Sequence, residues 1–220
     1  MSLQAPSCAI PKSRTLLTKG PRVRVAKSLL ALLPELKPLV TDPRHLWNGR
    51  HFPKFHMLPR ELLGNWLLGT ILEFEEGRTG WTIAEDHVGD GYLLHRPDRR
   101  GRWMEHVLVH QRNQASRTVE ECVVAALAHK ANPRHGPQYA SGKTLVIFSE
   151  AKGAWHPSRV RWLIFGRHAF NDVWVMHPEH AGPARRAYCV ALLTQLWGEA
   201  PAWRVVIEPG FDDWQVWRVQ

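Results

Sequence analysis

Two mainly apolar segments in the second half of the chain place the strongest constraint on its fold. Residues 144–148 and 172–176 have the composition of strands buried on both faces of a sheet, and a helical pattern over 156–166 separates them. A strand, a helix and another strand in this order predict a right-handed crossover between parallel strands. The chain is therefore expected to be an α/β protein.

The remaining pattern predicts further helices and strands around this unit. Leu58, Leu62, Leu63, Trp66 and Leu67 share a helical face next to Pro59, which predicts a helix from 58 to about 74. A Ser/Thr-x-x-Glu capping box at Thr118 and Glu121 starts a second helix, ending at Lys130. The other predictions are strands at 81–84, 91–95, 103–111, 203–207 and 214–219 and a helix at 183–197.

Apolar content and cysteine usage indicate the cellular compartment of the protein. No stretch approaches the roughly 18–20 apolar residues of a membrane helix, and the apolar run at 29–33 is too short for a signal-peptide core. The 3 cysteines are far apart and odd in number, which gives neither a disulfide framework nor metal-ligand spacing. We expect a cytoplasmic protein with reduced thiols and no membrane partner.

The net charge of +9 is concentrated at the N-terminus. Residues 1–60 carry all of this excess, whereas residues 61–220 hold equal numbers of basic and acidic side chains. We interpret 1–57 as a basic, loop-rich arm and linker with one short helix at 25–33, and 58–220 as the folded core. Arg22, Arg24 and Lys27 in the arm are candidate nucleic-acid contacts, although a solubilising tail or an organelle transit peptide also fits this composition.

Acidic residues stand on the strands of the predicted hairpin. Asp90 lies in Val88-Gly89-Asp90-Gly91-Tyr92, Glu105 lies in Met104-Glu105-His106-Val107, and Glu61 lies on the preceding helix. This order of elements and acids over residues 58–177 resembles the restriction-endonuclease-like, or PD-(D/E)-x-K, nuclease superfamily. The resemblance implies a mixed central sheet flanked by helices, with Asp90 and Glu105 as ligands of Mg²⁺ or Mn²⁺ and Glu61 as an accessory acid.

The lysine of that motif is absent, because the residue two positions after Glu105 is Val107. Alternation along a strand places Glu105, Val107 and Gln111 on one face and His106 and His110 on the other. Three side chains are possible replacements: Lys130 at the end of the following helix, Gln111 as a neutral group that orients water, and His110 as a base. Each also has a structural explanation; a lysine at a helix end, for example, is stabilised by the helix dipole.

Arginines and aromatic residues provide candidates for contacts with nucleic acid. Arg96, Arg99, Arg100 and Arg102 cluster on the predicted hairpin turn, where we expect them to be exposed and near the acids. Trp103 and Trp155 are candidates for base stacking, whereas we expect the other tryptophans on predicted apolar faces to be buried (Trp66, Trp162, Trp174, Trp197 and Trp203). Gly136–Thr144 ends like a phosphate-binding loop but has the wrong glycine spacing and precedes a strand, so we reject it.

The sequence therefore predicts a metal-dependent nuclease with a degenerate site, acting on DNA rather than RNA. The alternative is an inactive nuclease-fold protein that serves as a nucleic-acid-binding or complex-assembly subunit. A third possibility is an interaction subunit whose basic arm docks on an acidic protein; a homodimer is also compatible with the sequence.

Overall fold

The computed structural model describes residues 26–42, 44–47, 51, 56–85, 90–110, 117–131, 138–179, 186–193 and 199–220. These residues form one nine-stranded sheet and five helices. The strands are β1 (Ala26–Ser28), β2 (Trp81–Ala84), β3 (Tyr92–His95), β4 (Arg100–Val109), β5 (Lys143–Ser149), β6 (Asp172–Glu179), β7 (Arg186–Leu192), β8 (Ala202–Ile207) and β9 (Trp214–Arg218). The helices are α1 (Leu29–Thr41), α2 (Arg44–Trp47), α3 (Pro59–Glu76), α4 (Val119–Lys130) and α5 (Pro157–Ile164).

The strands lie in the sheet in the same order as in the chain. Neighbours are antiparallel from β1 to β4, parallel from β4 to β6, and antiparallel again from β6 to β9. Each parallel connection contains a helix, α4 before β5 and α5 before β6. The predicted α/β class, with a mixed sheet and helices, is confirmed.

Side chains on the two faces of the sheet belong to two separate cores. On β5, Val146 and Phe148 pack with α1 and α3, whereas Leu145 and Ile147 pack with α4 and α5. Every one of these four side chains is almost completely buried, and burial of such a side chain contributes roughly 1.5–3 kcal/mol. The mainly apolar segment at 144–148 is therefore explained by helices on both sides.

Helix α3 lies in the larger core and carries the first acidic candidate. Pro59 occupies its first turn, and Gly77 ends it in the left-handed conformation with φ 58°. Every residue from Leu62 to Leu72 is buried, including the polar Asn65 and Thr70. The predicted helix from 58 to about 74 is confirmed.

The segment before α3 differs from the predicted arm and linker. Strand β1 pairs with β2, and α1 begins after an N-cap at Ser28 and continues through Pro34 and Pro38 to Thr41. A proline inside a helix costs about 3 kcal/mol, but six apolar side chains of α1 are buried and together outweigh that cost. Residues 26–41 are thus part of the folded body.

The predicted helix at 183–197 is wrong. Within it the structure places strand β7, whose large side chains Tyr188, Val190 and Leu192 face the larger core. The small side chains of Ala187, Cys189 and Ala191 alternate with them. This alternation of large and small residues has the period of a strand and indicates β7.

The tryptophans divide differently from the prediction. Trp66, Trp174 and Trp203 are fully buried, as expected, whereas Trp162 has 54% of its surface exposed. Trp197 lies outside the described residues. No helix in the described ranges is long and apolar enough to cross a bilayer.

Candidate active site

The hairpin of β3 and β4 brings Asp90 and Glu105 together. Tyr92 pairs with Trp103, and the same antiparallel register continued by two residues places Asp90 opposite Glu105. The backbone N–H of His106 donates to Asp90 Oδ2 at 2.7 Å, which fixes the aspartate against β4. The structure therefore brings together the two acids that the sequence proposed as a pair.

Lys130 lies between these two carboxylates. Its Nζ is 3.1 Å from Glu105 Oε2 and 3.9 Å from Asp90 Oδ2, and its side chain is 20% exposed. The capping box at Thr118 and Glu121, predicted from the sequence, is present and fixes the start of α4 eleven residues earlier in the same helix. Lys130, one of the three possible replacements for the missing lysine, contacts both acids.

Two residues that the sequence analysis missed complete the surroundings of Glu105. Tyr139 donates its hydroxyl to Glu105 Oε2 at 2.5 Å, and Lys143 Nζ lies 2.6 Å from Oε1. The Lys143 ammonium also lies over the Tyr139 ring, 4.2 Å from its centre. We define Asp90, Glu105, Lys130, Tyr139 and Lys143 as the acid–lysine cluster.

Lys143 reaches Glu105 through alternation along β5 together with the pairing of β4 and β5. In the parallel register Glu105 pairs with Leu145, so Lys143 shares the face of Leu145 and Glu105. Lys143 belongs to the rejected phosphate-binding motif, and no other local pattern marks it as a functional residue.

The surroundings shift the pKa values of the cluster in different directions. Burial favours a raised pKa for Glu105, but hydrogen bonds from Lys143 and Tyr139 and the charge of Lys130 outweigh it and lower the pKa. Burial raises the pKa of Asp90, against the opposing effects of the His106 N–H and Lys130. The pKa of Lys130 is raised because the two carboxylates outweigh its burial. Glu105 and Lys130 are therefore charged at neutral pH.

Glu61 lies next to this cluster in the first turn of α3. Its Oε2 accepts the N–H of Leu58 at 2.7 Å, and Oε1 lies 3.6 Å from Arg60 Nη2. Burial, together with the negative charge of Asp90, raises the pKa of Glu61 to about 6. The sequence-predicted accessory acid is thus electrostatically coupled to Asp90.

A buried polar pair supports Asp90 from the side of α3. Asn65 Nδ2 donates to the backbone oxygen of Asp90 at 3.1 Å, and Asn65 Oδ1 lies 2.9 Å from His106 Nε2. Because the amide oxygen only accepts, Nε2 carries the hydrogen of the imidazole. Burial and the charges of Lys130 and Arg60 lower the pKa of His106 to about 3, so the ring is neutral.

Gly91 allows the Asn65 amide to approach the backbone of Asp90 closely. Its φ is +118°, and a Cβ at this position would lie 2.4 Å from Asn65 Nδ2. Only glycine therefore fits between Asp90 and the supporting amide.

The hairpin arginines do not lie where the sequence analysis placed them. The turn that carries Arg96 and Arg99 is at the far end of the hairpin, roughly 15–20 Å from Asp90 and Glu105 at about 3.3 Å per strand residue. Arg96 and Arg99 are exposed, but Arg100 lies 2.9 Å from Glu76 and from Asp98. The expectation of four exposed arginines near the acids is wrong.

Arg102 is buried in an ion pair with Asp172 at the start of β6. The remaining predicted residues also lie apart from the cluster. Lys27, on β1, pairs with Glu35 of α1, and His110 Nδ1 lies 3.5 Å from Glu150. Gln111, Arg22 and Arg24 lie outside the described residues.

The donor chemistry of the cluster suits a hard divalent cation. Mg²⁺ is usually held by one or two carboxylates, with water and substrate phosphate in its other positions. Asp90 and Glu105 supply two such carboxylates, and Lys130 Nζ lies within 4 Å of both. In the described part of the chain, no set of three or more His, Cys, Asp or Glu side chains is arranged for a metal ion.

Comparison with known proteins finds no match: no family model, no curated protein and no solved structure is similar enough to the chain to establish a relationship. The site is therefore interpreted from its own geometry.

Proposed function

We propose that this protein is a metal-dependent nuclease that hydrolyses phosphodiester bonds, with DNA favoured over RNA. The observation that carries the proposal is the position of Lys130 Nζ, 3.1 Å from Glu105 and 3.9 Å from Asp90. An ammonium from α4 thereby compensates for Val107, the position at which the sequence lacks the expected lysine.

The arrangement of elements supports the same proposal. Helix α3, the antiparallel strands β2 to β4, helix α4 and the parallel strand β5 follow one another in the order that the resemblance implies. Glu61 lies on the helix and Glu105 on the third strand of this unit, as expected, whereas Asp90 lies in a bend two residues before β3. We therefore assign residues 58–177 a restriction-endonuclease-like core as part of the proposal.

The residues of the cluster have complementary roles in this reaction. Mg²⁺ or Mn²⁺, when bound by Asp90 and Glu105, would polarise the phosphate and lower the pKa of the attacking water. Lys130 would donate a hydrogen bond to a phosphoryl oxygen or to that water as negative charge develops. Lys143 and Tyr139 hold the Glu105 carboxylate in its orientation. The attacking water would lose a proton to solvent as its oxygen bonds to phosphorus, the bond to the leaving oxygen would break, and that oxygen would take a proton from solvent.

One observation favours the alternative of an inactive nucleic-acid-binding subunit. Both oxygens of Glu105 already contact cationic or hydroxyl groups, Lys143 on Oε1 and Lys130 and Tyr139 on Oε2. Such contacts also stabilise a purely structural carboxylate. The two functions differ in whether phosphodiester bonds are cut.

The test measures cleavage of plasmid DNA, single-stranded DNA and RNA in Mg²⁺, in Mn²⁺ and in EDTA. Asp90→Asn, Glu105→Gln and Lys130→Met should each lower the cleavage rate by about 100-fold or more. Arg204→Met is the matched control, since Arg204 also contacts a glutamate, Glu179, but lies on β8. The control should retain wild-type activity.

Three results would decide between the functions. Cleavage that requires the metal and all three residues supports the nuclease. Cleavage that persists in Asp90→Asn and Glu105→Gln would exclude this site. Binding of nucleic acid without cleavage in any metal would favour the inactive subunit.

A further inference from the structure

A second basic region lies in the folded body, outside the N-terminal arm. Residues 151–171 contain Lys152, Arg159, Arg161 and Arg167 and no aspartate or glutamate. Because residues 61–220 are balanced overall, this segment is a local excess of positive charge. Such an excess attracts a polyanion.

The outer face of α5, within this segment, exposes large apolar side chains. Trp162, Leu163 and Phe165 have 54%, 40% and 45% of their surface exposed, while Val160 and Ile164 are buried against the sheet. Arg159 and Arg167, which flank the three exposed side chains, are exposed as well. We define Arg159, Trp162, Leu163, Phe165 and Arg167 as the α5 surface.

The C-terminal end of the α5 surface lies at the same edge of the sheet as the acid–lysine cluster. Helices α4 and α5 run in the same direction, since each connects a parallel strand to the next. Their C-terminal ends, with Lys130 and Phe165, therefore lie at the same edge of the sheet. The Phe170 ring packs edge-on against Tyr139, with 6.4 Å between centres, and the N–H of Asn171 donates to the Lys143 oxygen at 2.9 Å.

Exposed aromatic rings among arginines match the chemistry of unpaired nucleic acid. Bases of a single strand stack on aromatic side chains while cations contact the phosphates, whereas duplex bases are already stacked on each other. An acidic protein would interact with the arginines alone, whereas a base can also stack on the exposed parts of Trp162 and Phe165. The observations therefore favour a single strand over an acidic protein.

We propose that the α5 surface binds single-stranded nucleic acid, with bases on Trp162 and Phe165 and phosphates on Arg159 and Arg167. This inference rests on the proposed function, because the nearby cluster would then receive a strand that the α5 surface holds. It defines the substrate as a nucleic acid with unpaired bases.

The test is equilibrium binding of the full chain to fluorescein-labelled oligonucleotides, followed by fluorescence anisotropy in EDTA. A 12-nucleotide single strand is compared with a 12-base-pair duplex. Trp162→Ala should raise the Kd for the single strand about tenfold and change the Kd for the duplex less than about twofold. Trp162→Phe should retain most of the affinity, because phenylalanine also stacks.

Trp217→Ala is the matched control. Trp217 is also partly exposed beside an arginine, with Arg204 5.8 Å from its ring centre, but it lies on β9 outside the acid-free segment. Its replacement should leave both Kd values within about twofold of wild type. Thermal melting of each variant verifies that it is folded.

Several outcomes would overturn the inference. The first is an equal loss of affinity for the single strand and for the duplex in Trp162→Ala. The second is a loss of affinity for the single strand in Trp162→Ala that is no larger than the loss in Trp217→Ala. The third is an equal loss of affinity for polyglutamate in Trp162→Ala. Absence of cleavage with Trp162-dependent binding intact would contradict only the nuclease. Cleavage with Trp162-independent binding would contradict only the α5 surface.

Discussion

Two buried carboxylates at the same end of the sheet have very different partners. Asp172 contacts Arg102, and the two residues are 1% and 7% exposed. Glu105 contacts Lys130, Lys143 and Tyr139, and both of its lysines remain partly exposed. One carboxylate is held in a buried ion pair, and the other lies in a solvent-accessible network.

The difference indicates what each group can do. A buried ion pair is costly to break, because removal of one partner leaves a charge in a low-dielectric interior. A carboxylate with several partners can exchange one of them for a ligand and keep the others. We infer that Arg102 and Asp172 hold β4 and β6 in place, and that the acid–lysine cluster is the part of this edge suited to ligands.

The largest expected effect is on the buried ion pair. Arg102→Met should lower the free energy of unfolding by about 3–5 kcal/mol, because Asp172 is left without its cation. Urea denaturation measures this loss. In Arg102→Met/Asp172→Leu no charge remains buried, so stability should recover by at least half. A double variant as unstable as the single variant would contradict a pairwise role.

The next effect concerns the support beneath Asp90. Asn65→Leu should lower the free energy of unfolding by about 1–3 kcal/mol, because His106 Nε2 and the Asp90 oxygen lose their partner. Thr70→Val in the same helix is the control, since the Thr70 hydroxyl bonds only locally, to the Leu67 oxygen. We expect a cost below about 1 kcal/mol there. Equal losses in the two variants would mean that Asn65 stabilises α3 and does not support Asp90.

The third effect depends on pH and isolates Glu61. Its pKa is about 6 in the folded protein against an ordinary 4.5, so its contribution to stability is complete below pH 4.5 and is lost as the pH rises through 6. Glu61→Gln does not ionise and avoids this loss. The variant should therefore gain up to about 2 kcal/mol relative to wild type between pH 4.5 and 7.

Urea denaturation at several pH values gives this difference. His106, with a pKa of about 3, has the opposite sign: its contribution is present above pH 6.5 and is lost as the pH falls. Because His106 is present in both proteins, its effect cancels in the comparison. Parallel stability curves for the two proteins would show that Glu61 is not perturbed.

Local sequence signals predicted most of the fold and part of the cluster. The capping box at Thr118 predicts the start of α4, the helix that ends at Lys130. Strand alternation predicts that Glu105 and Val107 share one face of the sheet. The predicted hairpin places Asp90 and Glu105 next to each other. These inferences needed only short-range patterns.

Tertiary packing decided the features that the sequence did not predict. Pro34 and Pro38 argued against a helix, but burial of the leucines of α1 overcame them. The register of β4 and β5, which brings Lys143 to Glu105, joins residues 38 positions apart and has no local signal. The hydrophobicity of Trp162 predicts burial in the core, whereas the helix directs this side chain outward.

The smallest expected effect on stability belongs to Lys143, and it tests the comparison most directly. Lys143→Met leaves Glu105 with Lys130 and Tyr139, so the free energy of unfolding at pH 7 should fall by at most about 1 kcal/mol, far less than in Arg102→Met. Lys143 also lowers the pKa of Glu105. The stabilisation that comes from this lowered pKa is present above pH 4.5 and lost at more acidic pH, so it should be smaller in the variant. A loss at pH 7 as large as that of Arg102→Met would show that the network has no redundancy and that the two carboxylates are held in the same way.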